Sequence, residues 1–252
     1  MKRFSSIWPP LILFLVIIAG WTGYTALSNI SQRILPSPLN VINSLSSSWD
    51  VILPHTLTTT AEIVIGFFVS IIFAFAVSLT MYIYPKVRAA LYPLLASSQT
   101  IPIIALAPLL LIWFGFGIVP KIIVVVLYSF FPIVIAFSDG LSSTPKHLLD
   151  YAKSLGTSRA SMLRYINIPS ALGSLFSGLK IGAVYAVTGA IVAEFVGAFK
   201  GLGVYLQTSA ASYATARVFA VIFVVMIMSL ILLGLVILAQ RLLMPWKYTS
   251  EK

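Results

Sequence analysis

Few residues in this chain could do chemistry. Two carboxylates, Glu62 and Glu194, stand in apolar sequence; Ser97, Ser98, Gln99 and Thr100 form a polar cluster between prolines; and a polar loop runs from Asp150 to Pro169. A carboxylate at bilayer depth is costly unless it is paired, protonated or wetted. Glu194 is therefore read as a functional or interface residue, with a structural hydrogen bond to a neighbouring span as the alternative. Glu62 carries the same two readings, the structural one favoured. No catalytic constellation is found. GSLFSGLK from Gly173 approaches a phosphate-binding loop, but Leu179 stands where the lysine must follow the glycine directly. Ser177 with Lys180 and Ser143 with Lys146 satisfy S-x-x-K, yet no S-D-N or K-T-G accompanies them. His147 and Asp150 share a helix face, but the other histidine, His55, falls on the opposite side of the membrane, so no metal site is expected. The chain has no cysteine, which excludes disulfides and thiolate ligands. The expectation is a chain with no catalytic residue, metal or bound cofactor of its own.

The loop offers mechanical chemistry instead. Asp150, Tyr151 and Ala152 are followed after a gap of three by Gly156, after nine more by Ile166, and then by Ile168 and Pro169. Thr144 and Pro145 predict a helix start, with a capping hydroxyl and proline at the first helical position. Gly156 predicts a left-handed stop. A second short amphipathic helix, opened by Thr157 or Ser158, is expected to run to a break at Pro169. The product is a helix, glycine, helix platform in the cytoplasm.

The elements that must position these residues are membrane spans. Hydrophobic residues make up 60% of the chain, charged residues 9%, and Lys plus Arg outnumber Asp plus Glu by 16 to 6. Six spans are predicted at 7–27, 61–84, 89–113, 122–138, 175–199 and 218–240, in one permease domain covering 1–252, with the cytoplasmic loop at about 139–174. Even parity puts both termini on one side. Twelve of the cations, among them Lys2, Arg3, Lys247 and Lys252, fall on the side of the loop, against Arg33, Lys121, Lys200 and Arg217 on the other, so that side is cytoplasmic. The net charge of +10 thus reports topology and attraction to anionic membrane lipid, and needs no nucleic acid. The N-terminal apolar run is too long for a signal-peptide core and reads as a retained span. Pro36 and Pro38 make the external segment extended before a short interfacial helix reaching towards Trp49.

Two spans stand out. The third holds Pro93, Pro102 and Pro108 around its polar cluster, so Gln99, Thr100 and Pro102 are expected to line a cavity, the alternative being a kinked packing helix whose hydroxyls bond their own backbone. The fifth carries small residues at steps of four, Gly178, Gly182, Ala186 and Ala190, ending at Glu194. Such a stripe admits close helix approach, and it is read as translocation path or helix interface.

The loop spacing resembles the E-A-A-x3-G-x9-I-x-L-P signature of ABC importer permeases, with Asp150 for Glu, Tyr151 for the first Ala and Ile168 for Leu. LPSPLNVINSL resembles the external linker of the sulfonate, nitrate and taurine permease group, and AEFVGAFKGLG resembles the family's Ala-Glu pair followed by small residues and Gly-Leu-Gly. Within that group, LYPLLASSQTIPIIALAPLLLIWFGFG and PKIIVVVLYSFFPIVIAFSDGL resemble permeases for the thiamine pyrimidine precursor, hydroxymethylpyrimidine or its formylamino relatives. Glu62 fits that branch, where sulfonate and nitrate permeases usually carry Arg.

The resemblance implies an all-α, six-span fold of the type I ABC importer permeases in a prokaryotic inner membrane. It implies a non-catalytic subunit whose Asp150, Tyr151, Ala152, Leu155, Gly156, Ile166 and Pro169 dock on separate ABC ATPase subunits that hold ATP and Mg. A second permease copy, forming a homodimer, and an extracytoplasmic solute-binding protein complete the expected assembly. Sulfonate, nitrate, taurine or riboflavin import, or ion-gradient-driven secondary transport, are the alternatives. The absence of an internal repeat weighs against the last.

Overall fold

The computed structural model describes residues 8–28 and 30–246; Ile7, where the first span is expected to begin, and the terminal cations Lys2, Arg3, Lys247 and Lys252 lie outside them. The described residues form helices α1 (Trp8–Leu27), α2 (Pro38–Ser47), α3 (Trp49–Ile83), α4 (Pro85–Ser98), α5 (Ile103–Phe114), α6 (Ile118–Ser142), α7 (Lys146–Ser154), α8 (Arg159–Met162), α9 (Ile168–Glu194), α10 (Leu202–Ala211) and α11 (Thr215–Leu243), with no strand among them. Five stretches are long and apolar enough to cross a bilayer: α1, α3, α6, α9 with the turn before it, and α11. The pair α4 and α5, bent by 102° at a short break, passes the same test of length and apolarity when taken together.

The core is the seam where α6 packs along α9 and α3. In lipid this seam gains little from excluding water and depends on close van der Waals contact. Small residues provide it: a Cβ on Gly178 would sit 2.8 Å from the Pro132 carbonyl oxygen, and one on Gly182 would meet the Ile133 side chain at 2.9 Å. Ile133, Val134, Phe137 and Leu141 of α6 are fully buried there, with Ala183, Ala186 and Ala190 of α9. The opposite face of α9, including Ser177, Ile181, Tyr185 and Thr188, is exposed. Helix α1 buries no residue and is tied to the rest through the Trp21 indole, which donates to the Pro36 carbonyl at 3.0 Å and lies 5.5 Å from the Phe219 ring.

Three local expectations are corrected. The second span is the inner part of a 35-residue helix that starts at Trp49 and contains Pro54. Its outer turns are polar, with His55, Thr56, Thr58, Thr59 and Thr60, so hydropathy conceals them; the helix persists because it packs on α10 and α2. Pro169 does not break the chain. It occupies the first turn of α9, where a missing N–H costs nothing, and a π-helical turn over Leu163–Asn167 joins α8 to it. At the platform entry, Pro145 takes the cap position itself, and the Thr144 hydroxyl bonds back to the Leu141 carbonyl at 3.3 Å instead of capping α7.

Candidate functional site

Three constellations gather the chemistry-bearing residues. At the ends of the spans remote from α7, Glu194 closes α9 with its carboxylate buried at 1% exposure. Thr59 of α3 donates its hydroxyl to Glu194 Oε1 at 2.6 Å, and the Gly203 amide donates to Oε2 at 2.5 Å. The Leu202 amide donates to Thr59 Oγ1 at 2.9 Å, and the Gly201 amide to His55 Nδ1 at 2.9 Å. Three successive amides at the start of α10 are thus satisfied by side chains, two from α3 and one from α9, where no intrahelical acceptor exists. Beside this knot, Lys121 Nζ of α6 meets Glu62 Oε1 at 2.6 Å, with the Glu62 side chain 1% exposed. The Glu62 carboxyl neighbours that of Glu194. The Lys121 ammonium thus joins α6 to α3, while the Glu194 carboxylate joins α9 to α3 and α10. Both carboxylates are buried, and the arrangement is suited to clamping helices.

At mid-span, the break between α4 and α5 opens a cavity of about 330 Å³ against α6 and α9. Gln99, Pro102, Tyr128, Phe131, Pro132 and Tyr185 contribute to its wall, and none of its lining residues is charged. The hydroxyls flanking the break fold onto their own helix: Ser97 donates to the Pro93 carbonyl at 2.8 Å and Thr100 to the Ser97 carbonyl at 2.7 Å. Hence Gln99 faces the cavity while Thr100, though adjacent, is not among its lining residues. Gly182, Ala186 and Ala190 turn the other way, towards α6 and the core.

The third constellation is the platform. Helix α7 ends at Ser154, Gly156 follows at φ +74°, and the Ser158 hydroxyl caps α8 by accepting from the Ser161 amide at 3.2 Å. Leu148, Tyr151 and Leu155, at helical spacing, are 43%, 67% and 66% exposed, an apolar face presented outward. Ala152 is buried behind it, Ile166 and Pro169 are half-buried, and Asp150 is exposed, paired with Lys153 at 3.1 Å. At the end of α6 that leads into α7, Asp139 receives the Arg88 guanidinium at 3.4 Å and the Tyr92 hydroxyl at 3.2 Å, fastening α4 to α6.

His55, Thr59, Lys121, Tyr128 and Tyr185 are absent from the sequence-based site. The first three act through contacts some 60 to 150 positions apart in the chain, which no local pattern reports. The Gly-Leu-Gly phrase at Gly201 was the signal available, and its reason is steric, since a Cβ on either glycine would press on Glu194.

The model of the family described as "binding-protein-dependent transport system inner membrane component" matches residues 64–246. The formylaminopyrimidine transport permease protein ThiX of Halalkalibacterium halodurans is 34% identical over 98% of this chain and 99% of its own length. The riboflavin transport system permease protein RibX of Chloroflexus aurantiacus is 34% identical over 98% and 93%, and the taurine transport system permease protein TauC of Escherichia coli 33% over 92% and 86%. Among solved structures, the inward-facing MetNI methionine ABC transporter superposes with a TM-score of 0.68 at 17% identity, covering 77% of this chain and 97% of that one. An amino acid ABC transporter gives 0.64 at 16% identity, covering 79% and 96%.

Proposed function

The chain belongs to the binding-protein-dependent transport system inner membrane component family, and from that membership we propose how its parts divide the work of import. It is a non-catalytic, multi-span permease subunit of an ATP-driven importer, with ATP hydrolysis on a separate chain. In our reading the solute is a thiamine pyrimidine precursor handed over by an external binding protein, supported by the full-length similarity to the formylaminopyrimidine permease. Two copies of the chain assemble with two ATPase subunits, both termini cytoplasmic. The solute passes along the broken third span, where Gln99 and Pro102 border a mid-span cavity.

The observation that carries the mechanism is the exposed apolar face of α7. Leu148, Tyr151 and Leu155 leave water-exposed surface that a groove on an ATPase would cover. Asp150, Ala152, Gly156, Ile166 and Pro169 hold that face: Ala152 anchors α7 from behind, Gly156 sets the reversal between α7 and α8, and the segment around Ile166 and Pro169 passes directly into α9. When the ATPases close on ATP, displacement of α7 and α8 moves α9, and α9 moves α6 through the glycine seam. The access side changes because ATP-bound ATPases favour one of two states of the spans.

The test is uptake by proteoliposomes holding the permease, its ATPase and its binding protein. ATP trapped inside should drive accumulation of a formylaminopyrimidine with no ion gradient. Uptake that collapses with an ionophore but ignores ATP would assign the chain to secondary transport instead.

A further inference from the structure

We propose that the mid-span cavity is a transient binding seat for an uncharged, planar heteroaromatic ring, and that its wall excludes sulfonates and other anions. The inference rests on the permease reading above and adds the ligand chemistry of a site inside the membrane. Three observations carry it.

The cavity lies between the middle turns of the helices. Tyr128 and Phe131 fall near the centre of α6, Tyr185 near that of α9, and Gln99 at the break between α4 and α5.

Its wall also holds no Asp, Glu, Lys or Arg. An anion entering would lose hydration with no cation to replace it, and even after relaxation that costs on the order of several kcal/mol per ion. Lys121 is committed to Glu62 at the outer end and lines a different depression.

The wall finally combines aromatic faces with free polar tips. Phe131 is held edge-on by Phe130, with ring centroids 5.4 Å apart, and Tyr128 is pressed against Gly189, where a Cβ would stand 3.0 Å from its own. These contacts fix rings on which a planar ligand can stack. The Gln99 amide offers both a donor and an acceptor, and among the described residues nothing takes up that amide or the Tyr128 and Tyr185 hydroxyls. An aminopyrimidine edge, with ring nitrogen acceptors beside an amino donor, matches that set; a sulfonate, acceptor-only and charged, does not.

The experiment measures binding to the permease and ATPase complex in nanodiscs without the binding protein, using a radiolabelled formylaminopyrimidine and, separately, radiolabelled ethanesulfonate, a plain anion with no donor. The wild-type complex should bind the pyrimidine and not ethanesulfonate. Gln99→Ala and Tyr185→Ala should each weaken pyrimidine binding at least tenfold at unchanged complex yield, while Tyr128→Phe, which keeps the stacking face, should weaken it less than Tyr128→Ala. Equal binding of ethanesulfonate, wild-type affinity in both alanine variants, or no pyrimidine binding by the wild type would each overturn the seat. Those outcomes leave the permease reading intact if ATP-driven uptake with the binding protein persists, so the two ideas fail separately.

Discussion

Gly201 and Glu194 occupy one volume. Gly201 sits at φ +134°, a conformation that side chains rarely adopt, and a Cβ built there would overlap the Glu194 carboxylate. The carboxylate is held from its other sides by Thr59 and the Gly203 amide, so it has nowhere to retreat. The glycine exists because the acid is buried at that spot.

Gly201→Ala should therefore damage the outer clamp on two counts, a left-handed strain of about 1 kcal/mol or more and expulsion of the carboxylate. Thermal unfolding in detergent should occur at lower temperature than wild type, and uptake should fall. Glu194→Leu, which leaves the Gly203 amide unpartnered and removes the acceptor 2.6 Å from the Thr59 hydroxyl, should do the same. Wild-type stability and uptake in both variants would show that the knot is dispensable.

Glu62 and Lys121 form a buried pair, and such pairs punish half-removal. Lys121→Met should destabilise by about 3–5 kcal/mol because it strands the Glu62 carboxylate. The double variant Lys121→Met, Glu62→Gln should regain most of that loss. A double-mutant cycle on thermal unfolding reads the coupling; additive effects would mean that the two side chains act independently.

The platform predicts failure of coupling with insertion preserved. Gly156 is at φ +74° with open space around it, so Gly156→Val is opposed by backbone conformation alone. That variant, and Asp150→Lys, should reach the membrane at normal levels yet lose ATPase stimulation by the loaded binding protein, ATPase association, or both. Normal stimulation in each would make the loop a passive connector.

The distribution of basic residues predicts the orientation. Reporter fusions at Ser48, Gly117 and Ser209 should report the external side, and fusions at Val87, Ser158 and Ser250 the cytoplasm. A cytoplasmic signal at Ser48 would overturn the order of the spans.

Much of this fold is legible because lipid imposes a simple rule: apolar runs of sufficient length become helices, and α1, α6, α9 and α11 declare themselves that way. The outer turns of α3 escape because His55 and the threonines beside it read as a loop, and their helicity depends on partners in α10 and α2. Pro169 misleads because the same residue that stops a helix interior is tolerated in a first turn, and only the π-helical turn before it reveals which applies. Of the site residues, Glu62, Glu194 and Gln99 are conspicuous as polar groups in apolar surroundings. Lys121 and Thr59 are not, since an external lysine and one threonine among several carry no mark of the carboxylates they meet. Tyr128 and Tyr185 resemble ordinary membrane aromatics until the break beside Gln99 shows what they face.

The 102° break itself gives the third span two separate allegiances. Its outer half belongs with the outer ends of α6 and α9, where Leu110, Val124 and Ala193 pack together, while its inner half is moored by Arg88 and Tyr92 to Asp139. A straight helix would behave as a rod, so that a push at one membrane face tilts the other by the same angle. With its helix interrupted between Ser98 and Ile103, the pair is two short rods joined by a few residues, and a load applied to one rod is carried by a different set of contacts from a load applied to the other.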